Sequence, residues 1–213
     1  MLTAGSLVSL QDEGDTRTEL DSHSDTCVVG KNALIVHDYD RKVNVAGYDP
    51  NQPTAQSLRI VSADLAFDDP NSGEVIILVL NQAISIPHIE HKLMSPFQMR
   101  FNGVKVNDTP ILLTESPTDE THTLIVPGNF GVKDELVIPL MVHSVSSVFS
   151  IRKQTVQEYE SCDRRYDLTY DTPDFDPSDP PFARAEEAMT DSLGWLRDTQ
   201  GDRDKQLRTL CQM

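Results

Sequence analysis

Six consecutive apolar residues, "VIILVL" at residues 75–80, set the tightest limit on how this chain can fold. The run is rich in β-branched side chains, which suit an extended, pleated backbone. A strand without polar alternation must be covered on both faces, so it belongs inside a sheet-based core. It is also far shorter than the ~20 apolar residues a bilayer crossing requires.

Other strand-length segments surround it. "NALIVHDY" (32–39) is a short apolar segment, and "KVNVAGYD" (42–49) alternates at period two with Val43 and Val45 on one face. "SLRIVSADLAFDD" (57–69) offers a second extended stretch, and the prolines and amides of "PNQPTAQ" between the two are turn chemistry. Together they predict a long β-hairpin over 43–67 with its tip near 49–54. "VKVND" (104–108), "HTLIVP" (122–127) and "ELVIPLMVHSVSSVFSI" (135–151) read as further strands, the last holding two. Leu93, Met94, Phe97 and Met99 are candidate buried positions, and Asn102-Gly103 is a turn signal. The sum is about seven strands between Glu19 and Ile151, which favours a small barrel or sandwich over a βαβ fold.

Hydrophobic residues make up 38 % of the chain, and the deficit falls at the two ends. Residues 1–17 read as a flexible lead-in to a β domain over 18–151. Residues 152–181 include "DTPDFDPSDPP", which resists helix and sheet and predicts an acidic, disordered linker. Residues 182–213 regain a helical spacing through Phe182, Ala185, Met189, Leu193 and Leu196, predicting a short C-terminal helix.

The formal net charge is -16, from 34 acidic and 18 basic residues. Such a chain repels phosphate backbones and anionic lipid, so neither direct nucleic-acid binding nor membrane binding is expected. No basic flank and apolar block mark a secretory signal. Cys27, Cys162 and Cys211 form neither a disulfide framework nor a zinc pattern, which points to a reducing intracellular compartment, the cytoplasm.

Chemistry concentrates in "TELDSHSDTCVVG", residues 18–30. Ser22, His23 and Asp25 look like a nucleophile, base and orienter, but neighbours on an extended segment point to opposite faces. His23 with Cys27, and His88 with His91, have the elements of metal half-sites. The "HIEH" spacing serves one ion only on a helix, and solvent-facing histidines are the plainer reading, so no metal and no cofactor are expected. The remaining option is a carboxylate. An Asp at a strand end followed by a hydroxyl residue can act as general base, and two such groups pressed together share one proton. A chain with a single such motif finds the second Asp in another copy of itself.

"LDSHSDTCVVG" resembles the active-site turn of retropepsin-type aspartic proteases, and most closely that of the copia class of LTR retrotransposon polyproteins, with Asp21 and Gly30 at the family's spacing. A second block, "NQAISIPHIEHKLMSPFQM" (81–99), resembles the family's later segment, with Pro87, Ile89, Leu93, Met94, Ser95, Gln98 and Met99 in step. The resemblance covers about residues 17–101 and continues more weakly to Ile151. It implies a small closed β-barrel, a homodimer, and proteolysis of an extended peptide such as the parent polyprotein. It implies that Asp21 is catalytic, that Ser22, His23, Ser24 and Asp25 form its supporting loop, and that Asp25 lies at the cleft edge. Tyr48, Asp49, Pro50 and Asn51 would form the flap tip, and Leu93 to Ser95 would finish the cleft floor. His23 departs from the family's glycine. It brings a ring into a crowded place and a group that titrates near neutrality. The alternative is therefore a catalytically inactive structural or binding module of the same fold.

Overall fold

The 75–80 run lies in a strand of Val75–Ser85, where nearly every residue is buried. The computed structural model describes residues 16–45, 55–128 and 134–178 except 173, together with 132, 184, 188 and 190. The chain divides into two compact units, Met1–Asp174 and Phe175–Met213. All the strands described below belong to the first.

In chain order the strands are β1 (Thr16–Leu20), β2 (Val28–Val29), β3 (Leu34–Val45), β4 (Ala55–Asp68), β5 (Val75–Ser85) and β6 (Lys92–Met94). Helix α1 (Pro96–Phe101) follows, then β7 (Lys105–Asn107), β8 (Thr123–Val126), β9 (Leu136–Pro139), β10 (Met141–His143) and β11 (Ser146–Ile151). Helix α2 (Val156–Ser161) and β12 (Arg165–Asp167) complete the unit. The main sheet runs β10-β11-β1-β6-β2-β5-β4-β3, with β12 also on β5, while β7-β8-β9 form a smaller sheet.

The fold is mainly β, as expected, and the long hairpin is present as β3 and β4. The expected closed barrel is not. Among the described residues the main sheet is an open path whose end strands, β10 and β3, do not pair. β3 explains one open edge. Three register shifts against β4 and the charges of Asp38, Asp40, Arg41 and Lys42 leave no straight ladder to extend.

β5 organises the rest. One edge pairs along its length with β4. The other is divided between two parallel partners, β12 at residues 77–79 and β2 at residues 84–85. The alternation along β1, β2 and β6 sends Leu20, Cys27, Val29 and Met94 into the main core, with Leu65, Leu78, Phe149 and Tyr166. Met94 and Met99 are buried as the sequence suggests, whereas Leu93 is only half-buried and Phe97 is exposed.

The predicted linker is a second correction. Much of 152–172 is folded: Tyr166 and Leu168 are fully buried, and the Leu168 amide donates to the carbonyl of Val79 at 2.9 Å. α2 starts with a reciprocal cap between Thr155 and Glu158. Arg152 bridges Asp68 and Glu158, and Arg165 reaches the buried Asp64 at 2.8 Å. Several charges of the segment, Arg152, Glu158, Arg164 and Arg165 among them, are thus paired. β1 likewise begins at Thr16, inside the expected lead-in. The expected flap tip, Tyr48, Asp49, Pro50 and Asn51, and all of 182–213 but residues 184, 188 and 190, lie outside the described residues. No helix among the described residues is long and apolar enough to cross a membrane.

Candidate active site

Asp21 is the first residue after β1, and its position is fixed from beneath. β1 runs parallel to β6 with Leu20 opposite Met94, and the Asp21 amide donates to the Met94 carbonyl at 3.0 Å. The loop then turns tightly: the Ser24 amide donates to the Asp21 carbonyl, and the His23 amide donates to Asp21 Oδ1 at 2.9 Å. This is an Asx turn, in which a short carboxylate side chain replaces a backbone acceptor. The Asp21 side chain remains 35 % exposed, so its free oxygen faces a surface that another molecule can reach.

The two sequence blocks meet here. The Ser95 hydroxyl donates to the Ser24 carbonyl at 2.7 Å and accepts from the Gln98 amide, capping α1. The Ser95 amide donates to Cys27 Sγ. The Cys27 amide donates to Gln98 Oε1 at 2.8 Å, and Gln98 Nε2 donates to the carbonyls of Asn81 and Gln82. The β4–β5 pairing shifts register around Asn81 and Gln82, and Gln82 takes a left-handed backbone with φ 54. The irregularity releases their carbonyls from the ladder for Gln98. Gln98, Asn81 and Gln82 are all buried. They hold the Asp21 loop to the central strand; a polar pair inside the apolar β5 and a place in the 81–99 block were their sequence signals.

Gly30 has a steric reason. A Cβ there would lie 2.2 Å from the carbonyl oxygen of Ile89, which also accepts from the Lys31 amide. Only a residue without a side chain lets these segments pass so closely.

A second apolar cluster, Val28, Ile60 and Ile84, lies on the face of the sheet opposite the main core. Leu93 and Ile89 are half-buried against it, as are Val43 and Val45 in the period-two arrangement expected. Leu93 adjoins Met94, which holds Asp21, so an apolar wall stands beside the loop.

No family model matches this chain, and neither a curated protein nor a solved structure is significantly similar to it. The site is therefore read on its own geometry.

That geometry treats the other candidate residues unequally. Ser22, His23 and Asp25 are exposed, and Ser24 is half-buried with its hydroxyl on the Thr26 carbonyl. The His23 ring is 91 % exposed, so within one chain it crowds nothing. Its Nδ1 lies 3.4 Å from Ser22 Oγ and 3.8 Å from Asp21 Oδ1. Cys27 is fully buried, with its thiol pushed up to about 12 by desolvation, and it faces away from the solvent that His23 meets. "HIEH" is a turn and an extended stretch, so His88 and His91 do not share a helical face. A separate cleft of about 800 Å³ is lined by Asn81, Asn102, Asp167 and Tyr170. Its polar groups are engaged with one another: Asn102 Nδ2 donates to the Asp167 carbonyl, and Asn81 Nδ2 to the carbonyl of Thr169.

Proposed function

We propose that this chain is one half of a retropepsin-like aspartic endopeptidase, in which two copies each contribute Asp21. The observation carrying this reading is the parallel pairing of β1 with β6, sealed by the Asp21 amide on the Met94 carbonyl. Two sequence blocks that resemble one family's active-site segments are thereby joined into a single floor. The half-exposed carboxylate and the adjoining apolar wall supply what such a floor needs: a reachable acid and a surface for substrate side chains.

In the paired state the two Asp21 carboxyls hold one proton between them. The ionised one takes a proton from water as the water oxygen attacks the scissile carbonyl carbon. The protonated one gives its proton to the carbonyl oxygen. Collapse of the tetrahedral intermediate breaks the C–N bond, and the amine leaves with a proton returned from the dyad. The substrate is an extended peptide, such as the polyprotein that carries this sequence.

A second reading has its own support. His23 Nδ1 is 3.8 Å from Asp21 Oδ1, and that oxygen already accepts from the His23 amide. A non-catalytic module with this fold accommodates both contacts. Expression of a precursor containing the chain separates the two readings. The protease loses all self-processing on Asp21→Asn and slows with a pepstatin-type inhibitor. Processing that is indifferent to Asp21 removes the enzyme reading.

A further inference from the structure

The charge-free stretch of the chain comes to the surface beside Asp21. From Leu136 to Ile151 there is no Asp, Glu, Lys or Arg, in a chain with 52 such residues among 213. The similar stretch in β5 is buried, as its composition requires. This one is buried only in part: Ile138, Phe149 and Ile151 lie in the core, but Met141 is 51 % exposed, Val142 44 % and Val145 98 %. We propose that the tip of the β10–β11 hairpin is the surface on which a second copy of this chain docks. The proposal rests on the two-copy reading of Asp21 and names the residues that make the contact.

Register places the hairpin. Glu19 of β1 lies opposite Val148 of β11, and Val148 lies opposite Met141 of β10. Glu19–Val148 is the last pair of that ladder; continuing its register by two residues would bring Asp21, just past the end of β1, level with Ser146, which is paired with His143. The turn at Ser144 and Val145 therefore projects just past Asp21, at the same end of the sheet. Any second molecule that brings its own Asp21 within proton-sharing distance meets this turn.

Strand spacing decides how the copies meet. Pairing the free edge of β10 with its twin would put five strand spacings between the two Asp21 residues, roughly 24 Å. Carboxyls that far apart cannot share a proton. The contact is therefore end-on, through Val145 with Val142 and Met141 behind it, rather than through edge hydrogen bonds. Charge selects the same partner. Two copies at a net charge of -16 each repel over most of their surface, and a neutral apolar patch is where that repulsion is least. The patch meets itself across a two-fold axis, so one apolar surface serves both sides.

The test is sedimentation equilibrium of the full chain as wild type, Val145→Glu and Leu112→Glu. Leu112 is 77 % exposed and lies in a single 3-10 turn, Ile111–Leu113, so it controls for adding charge to an exposed apolar residue. Wild type and Leu112→Glu are expected to dimerise alike. Val145→Glu is expected to weaken the dimer at least about tenfold, with its melting curve unchanged. A Val145→Glu protein that dimerises as tightly as wild type overturns the docking surface. Asp21-dependent cleavage by that same variant would leave the protease reading standing. A wild type that stays monomeric at every concentration overturns both.

Discussion

The backbone amide of Cys27 donates to the side-chain oxygen of Gln98 at 2.8 Å, across 71 residues of sequence. With the Ser95 hydroxyl on the Ser24 carbonyl, this contact ties the loop after Asp21 to α1. Through Gln98 Nε2 it continues to the carbonyls of Gln82 and Asn81.

Replacing Gln98 with Leu conserves volume and removes every one of these bonds. The buried Cys27 amide and the Gln82 carbonyl lose their side-chain partner, while the Asn81 carbonyl keeps the Thr169 hydroxyl at 2.7 Å, so the cost is about 2–4 kcal/mol. Urea unfolding should register that loss as a lower midpoint with an unchanged slope. A loss under about 1 kcal/mol would mean that water or a shifted loop replaces Gln98 readily.

Asp64 and Arg165 test whether residues 152–172 belong to the fold. Asp64 is almost fully buried, and desolvation raises its carboxyl above the usual range despite the guanidinium of Arg165. Arg165 also lies over the Tyr159 ring at 4.6 Å and donates to the Tyr159 carbonyl. Arg165→Met leaves a buried, unpaired carboxylate and should cost about 3–5 kcal/mol. Adding Asp64→Asn removes the stranded charge and should restore most of that loss. A double-mutant cycle by thermal melting reads the coupling. Additive effects would mean the segment sits loosely on β4.

Those residues also mark where sequence reasoning stops. The hairpin of β3 and β4, the buried β5 and the Asp21 turn were legible because periodicity, β-branching and turn residues are local signals. Gly30 was legible as spacing, although its cause is the Ile89 carbonyl, 59 residues away. Arg152 and Arg165 read as solvated charge because their partners Asp68 and Asp64 are far off in sequence, whereas the Thr155–Glu158 cap is a local pairing masked by the Asp-Pro composition that follows it. Composition cannot tell a paired ion from a hydrated one. Gln98 stood in step with the resembling family segment, but its role was not legible there: it depends on an irregular pairing at Asn81 and Gln82 that no local pattern announces. The open sheet edge was likewise unreadable, since closure depends on how end strands meet.

His122 should give the fold an acid-sensitive component. It is buried just before β8, with Nε2 3.0 Å from Ser147 Oγ, and Ser147 in turn donates to the Asp108 carbonyl. Burial holds the imidazole below its ordinary range, and the Asp108 charge offsets this only in part. The unfolded chain, titrating near 6.5, binds a proton before the folded one does. Stability from neutral His122 is therefore complete above about pH 6.5 and falls as pH drops below it. Urea midpoints at about pH 7.5 and 5.5 should converge in His122→Gln relative to wild type. Equal pH dependence in the two proteins would assign the effect elsewhere.

His23 carries the functional question, and its ring is free to be removed. With 91 % of its side chain exposed, His23→Gly should alter folding stability by no more than about 1 kcal/mol, the backbone cost of glycine. Its effect on cleavage is different. When two copies pair, an imidazolium close to each Asp21 favours charge on both carboxylates and opposes the shared proton. His23→Gly should therefore raise self-processing several-fold, and His23→Gln, which keeps a polar side chain but cannot carry a positive charge, should do the same. Cleavage of a labelled peptide by the two variants and wild type checks this. A gain in His23→Gly alone would show that the ring acts by shape rather than by charge. A loss in both would recast His23 as part of the machinery, holding the Asp21 turn through the side-chain contact it makes with Ser22.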